Sequence, residues 1–129
     1  GDFNDYPENK SVKEVLEAPA PSTLQDSLRP QKLYHLLAGK AKTRKHFGSY
    51  KYQGEWGLLD HIIVSGTLLQ EHAPLYTEEA KTDVFCLPFL LTRDKKYGGQ
   101  QPFRTYYGMK YQGGYSDHLP VYAEFRLIY

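Results

Sequence analysis

The stretch Leu58-Leu59-Asp60-His61-Ile62-Ile63-Val64 constrains the fold more than any other part of this chain. So apolar a run, closed by Ser65-Gly66, reads as a strand buried on both faces. Asp60 lies inside it, where an unpaired carboxylate would cost on the order of several kcal/mol. The fold must therefore either bring Asp60 a partner or leave it at a strand end facing water. His61, its neighbour, is expected to point to the opposite face as a satisfied or solvated histidine.

From Phe47 onward the hydrophobic period tends toward two. Gly48 to Tyr52 reads as a strand, and Gln53-Gly54-Glu55 as a turn. Glu78 to Leu91 holds short extended pieces around Pro88, and Arg93 to Tyr115, rich in Gly, Lys and Tyr, reads as a long loop or hairpin. Leu119 to Ile128 alternates as a terminal strand with Val121, Ala123, Phe125 and Leu127 on one face. Two helices are expected upstream. Asn9 to Leu16 carries a Ser11/Glu14 capping box with Val12, Val15 and Leu16 on one face, and stops before Pro19 and Pro21. Gln31 to Ala38 spaces Leu33, Leu36 and Leu37 at a helical period, with Gly39 as the stop. The basic run Lys40 to His46 reads as a solvated loop, with a phosphate-steering patch as the sharper alternative. Helices and strands in this order predict one α/β domain of the α+β type over residues 1–129, a layered sandwich of mixed β-sheet with outer helices.

With 16 Lys and Arg against 15 Asp and Glu, the net charge of +1 supplies no global attraction to nucleic acid or anionic membrane, so any phosphate-binding field must be local. Cys86, the one cysteine, reads as a small buried residue and cannot by itself form an internal disulfide or a metal cluster. No apolar run approaches the ~20 residues of a membrane span. His35, His46 and His72 lack ligand-like spacing to a carboxylate or cysteine, and are expected to be structural or surface residues. Among the 12 tyrosines, most are expected to pack on strand faces.

Two further segments complete the chemistry. Gly1-Asp2-Phe3-Asn4 places two polar side chains two residues apart, so that both can point to the same side of an extended backbone, and Ser116-Asp117-His118-Leu119-Pro120-Val121 sets a carboxylate and an imidazole just before a buried strand. Taken alone, Gly-Asp-Phe-Asn could equally be a turn. In order, these segments and the Asp60 strand resemble the last three sequence blocks of the endonuclease/exonuclease/phosphatase superfamily, metal-dependent hydrolases of phosphate esters.

The resemblance implies the C-terminal half of a two-sheet, DNase I-like fold, with Asp2, Asn4, Asp60 and His118 as catalytic residues. Asp2 would hold or deprotonate the attacking water, Asn4 would donate toward the phosphate, and Asp60 would orient His118 against the scissile phosphate. Asp117 would assist a magnesium or manganese ion, in keeping with oxygen donors. Trp56, Arg104, Tyr107 and Tyr111 are candidate contacts to a phosphate-ester substrate, whether nucleic acid or a small or lipid phosphate. The family's upstream asparagine and metal-binding glutamate have no counterpart in these residues. Association with the missing half or with a second copy is therefore expected, and the chain by itself is expected to be inactive. The alternative is a non-catalytic binding or interaction module that retains the fold.

Overall fold

The computed structural model describes residues 1–23 and 27–129. Its centre is the pair formed by β1 (Leu33–His35) and β4 (Ile63–Ser65), which run antiparallel with Tyr34 opposite Val64. Tyr34, Leu36, Val64 and Leu69 form the core here, with Leu28, Ile62 and Leu68 against them. Each such side chain, once fully buried, contributes roughly 1.5–3 kcal/mol.

The other described strands also pair in twos, and every pairing is antiparallel. β2 (Tyr50–Tyr52) and β3 (Glu55–Gly57) form a hairpin. β5 (Leu75–Tyr76) meets β12 (Arg126–Leu127), and β6 (Thr82–Val84) meets β11 (Val121–Ala123). β7 (Leu91–Arg93) with β8 (Gln100–Pro102), and β9 (Tyr106–Tyr107) with β10 (Lys110–Tyr111), make two successive hairpins. The chain is thus strand-rich, with few helices and small antiparallel sheets, as suits an α/β fold of the expected kind.

Several local expectations are overturned. The helix expected at Gln31 to Ala38 is instead β1 and the turn after it. Tyr34, His35, Leu36 and Leu37 are all buried, and four consecutive buried positions satisfy a helical spacing and an inner strand alike. The helix α1 (Ala38–Thr43) starts where that one was to stop and occupies the first part of the supposed loop. Tertiary contacts order it, since the Lys40 ammonium donates to the carbonyls of Glu79 and Thr82.

The first expected helix is a single wide turn, Ser11–Val15, closed by Leu16 N–H on Ser11 O at 3.0 Å. Ser11 does not cap it. Its hydroxyl donates to Asp5 Oδ2 at 2.6 Å, and only Val12 of the supposed apolar face is buried. The Asp60 run is regular only over β4, with one isolated bridge earlier, at Asp60. The terminal strand breaks into β11 and β12, leaving Phe125 and Leu127 exposed. Cys86 is exposed too, because the chain leaves β6 after Val84. No helix is long and apolar enough to cross a membrane among the described residues.

Candidate active site

Three distant segments meet around Asp60. The Gly1–Phe3 backbone lies antiparallel beside Leu59–His61: Phe3 N–H donates to Leu59 O at 3.0 Å, His61 N–H donates to Gly1 O at 2.8 Å, and Asp2 stands opposite Asp60. Directly opposed residues of such a pair share a face, so both carboxylates project to the same side. From the third segment, Leu119 N–H donates to Ser49 O at 2.7 Å and His118 bridges to Tyr50.

His118 Nδ1 approaches Asp60 Oδ2 at 2.7 Å. An ionised carboxylate only accepts, so Nδ1 carries the proton and donates. The other ring nitrogen, Nε2, then faces Asp2, whose Oδ2 lies 4.0 Å away. Tyr50 holds the ring from the side, with centroids 4.9 Å apart and planes inclined by 32°. The partner required by Asp60 is therefore His118, and the strand-end alternative is set aside by the geometry. Asp60 and His118 are partly buried, whereas Asp2 is half exposed.

Asn4 departs from the expected extended geometry. Its φ of 53° is left-handed, so its side chain does not follow the strand alternation that carries Asp2. Its amide N–H donates to Asp2 Oδ1 at 2.7 Å, a local turn that leaves Asp2 Oδ2 toward His118. Asp117, one residue before His118, is exposed.

Three of the four candidate substrate residues divide between two clefts. Trp56 on β3 lines the larger, of about 1220 Å³, with Tyr6, Phe47 and Leu58. Arg104 and Tyr107 line a second, of about 720 Å³, together with Tyr50, Lys51, Arg93 and Lys96. Tyr50 joins that second cleft to His118, while the Arg104 guanidinium stacks over Tyr107 at 5.4 Å. Lys51 is tied to Asp94 at 2.8 Å beneath the cleft. Tyr111 lines neither and packs edge-on against Tyr106 at 5.4 Å.

Ser49 and His35 had roles that the sequence did not suggest. Ser49 Oγ, fully buried, accepts the amide N–H groups of Leu59 and Asp60 at 3.3 and 3.2 Å, while its carbonyl holds Leu119. It joins the Asp60 and His118 segments, yet a serine in Gly-Ser-Tyr carries no signal of that task. His61 points away from Asp60, into the core, and meets His35 at 2.6 Å.

Asp2, Asn4 and Asp117 offer oxygen donors of the kind that suit magnesium or manganese. They do not form a set: no three of the His, Cys, Asp and Glu side chains converge as metal ligands among the described residues. Asp60 is committed to His118, and one oxygen of Asp2 to its own turn. The residues present do not by themselves make a metal site.

A family model described as endonuclease/exonuclease/phosphatase family matches residues 1–127. No curated protein and no solved structure matches the chain. The match runs through all three segments that meet at Asp60 and His118, and the chain belongs to the endonuclease/exonuclease/phosphatase family.

Proposed function

We propose that this chain is the C-terminal part of a divalent-metal-dependent phosphoesterase that hydrolyses phosphodiester or phosphomonoester bonds. Membership of a family of hydrolases supports the reaction class. The observation that carries the residue roles is the Asp60–His118 contact at 2.7 Å with Asp2 on the far side of the same ring.

Hydrolysis needs a positioned water and stabilisation of charge on the nonbridging oxygens. Asp60 holds His118 in one tautomer, leaving Nε2 to donate to a phosphate oxygen when charged or to accept a proton when neutral. Asp2 Oδ2, across from Nε2, orients the water. Asn4 sets the turn that aims Asp2. In this proposal a bound divalent ion would supply charge neutralisation, with Asp117 among its donors and the rest from outside these residues, in the missing half of a layered two-sheet sandwich. The second cleft fits the remainder of the ester, with cations for further phosphates and Tyr107 for a ring.

The test is hydrolysis of bis(p-nitrophenyl) phosphate with manganese by the protein encoded by the complete reading frame. Asp60→Asn is expected to lower kcat by roughly 10²–10⁴-fold, the usual contribution of a positioned acid or base. A variant that keeps full activity overturns the residue roles. A wild-type protein inert with both magnesium and manganese favours the non-catalytic binding module instead.

A further inference from the structure

The strand that presents Asp60 to His118 turns its next side chain the other way, and there it meets an arrangement in which every ring nitrogen is used. Leu37 and Ala38 N–H groups both donate to His35 Nδ1, at 3.1 Å each. That nitrogen therefore bears no proton, and a neutral His35 must carry its proton on Nε2. His35 Nε2 lies 2.6 Å from His61 Nδ1, so it donates there. His61 Nδ1 is thereby an acceptor, and its proton sits on Nε2, which donates to the Asp5 carbonyl at 2.7 Å. The reverse direction is chemically closed, because it would leave His35 without a ring proton and set a bare His61 nitrogen against a carbonyl oxygen. Both side chains are in the core, at 0% and 3% exposure.

The far end of this chain of hydrogen bonds is the segment that bears the candidate catalytic groups. Asp5 follows Asn4, whose φ of 53° turns the segment that carries Asp2. The Phe3 ring stacks on His61 at 4.7 Å with planes only 13° apart. Asp2 and Asp60 occupy the opposite face. His61 thus grips residues 3 and 5 from below while Asp2 projects above.

We propose that His35 and His61 are positioning residues: a neutral hydrogen-bond chain of fixed direction, running from the Leu37 and Ala38 amides to the Asp5 carbonyl, that fixes Asp2 relative to His118. The catalytic consequence rests on the hydrolase function proposed above, whereas the geometry does not. Burial disfavours a charge on either ring, and an added proton would set N–H against N–H.

The test uses the full chain and three readouts. Nitrogen-15 spectra of the histidine rings are expected to show both as neutral Nε2–H tautomers from about pH 8 to about pH 5, where a solvated histidine would titrate. An Nδ1–H tautomer or a titration at either ring overturns the proposal. Amide exchange at Phe3 is expected to accelerate at least about 10-fold in His61→Leu, while the Leu119 amide, bonded to Ser49, keeps its protection. His61→Gln, which retains an acceptor and a donor, is expected to restore Phe3 protection to within about threefold. Should His61→Leu not fold, the tautomers and His61→Gln still decide: exchange at Phe3 in His61→Gln as fast as in the unfolded chain overturns the positioning role. In the protein from the complete reading frame, His61→Leu is expected to lower kcat about 10-fold or more with KM nearly unchanged. An inert wild-type protein would refute the hydrolase function alone, since tautomers and exchange are read without turnover. Loosened exchange at Phe3 with undiminished kcat would overturn the link to catalysis.

Discussion

Asp60 and His61 are adjacent in sequence and opposite in task. One is half-buried on the site face and holds His118, and the other lies in the core against His35. The core pair makes folding sensitive to acid. Burial, with His61 beside it, holds His35 at about 3, and burial also lowers His61. In the unfolded chain both rings take up protons near pH 6.5. Between those values the unfolded chain binds more protons, so the stabilisation is complete above about pH 6.5 and is lost as pH falls toward 3. Urea unfolding is expected to show a loss approaching about 1.4 kcal/mol per pH unit from His35 over that window, beyond what the carboxylates contribute. A His35→Gln variant should flatten the slope, and an unchanged slope would mean that His35 is not held neutral. That Asp60 needed a partner was legible in its apolar neighbours. That His35 and His61 would meet was not, because 26 residues separate them and only the β1–β4 pairing brings them side by side.

Among the elements, β2 and the turn after it were the most legible, whereas β3, which begins at Glu55 inside the supposed turn, was not expected. Gln53 and Gly54, with φ of 48° and 90°, form a two-residue turn whose twist matches its strands. A Cβ at Gly54 would lie 3.0 Å from Tyr97 Cβ, on a backbone that L side chains rarely adopt. Gly54→Ala is therefore expected to destabilise by about 1–3 kcal/mol, read as a lower Tm, and to loosen the second cleft beside Tyr97. The helices were legible least. Leu33, Leu36 and Leu37 keep a helical spacing, yet Leu33 is exposed while Tyr34 and His35 are as buried as Leu36 and Leu37, so the period held no information. α1 carries no apolar stripe that a sequence reader would notice; Lys40 docked on the Glu79 and Thr82 carbonyls holds it in place. Local pattern decides elements whose cause is local, such as a glycine turn, and misjudges those whose cause is a distant partner.

On the scale of the whole molecule, large apolar side chains remain at the surface after the chain has folded. Phe85, Leu87, Phe89, Phe125, Leu127 and Ile128 are each 40–54% exposed, and come from β12 itself and from the segments flanking β6, β11 and β12. Exposed apolar side chains, where they adjoin one another, are the usual mark of an interaction surface. We propose that these 129 residues self-associate when no complementary half is present. Light scattering after size-exclusion chromatography is expected to give a mass above 14.9 kDa, and a monodisperse species at 14.9 kDa would refute this. The three motif segments, their order and the family were determined by the sequence by itself, because the residue types that bear phosphoester chemistry must be spelled out in the chain. Tertiary structure alone decided that Ser49 joins the Asp60 and His118 segments, that Asn4 turns left-handed beneath Asp2, and that two histidines share one hydrogen bond in the core. The Ser49 and histidine contacts join segments distant in the chain, and even the local turn at Asn4 could not be told from an extended strand end by residue type alone.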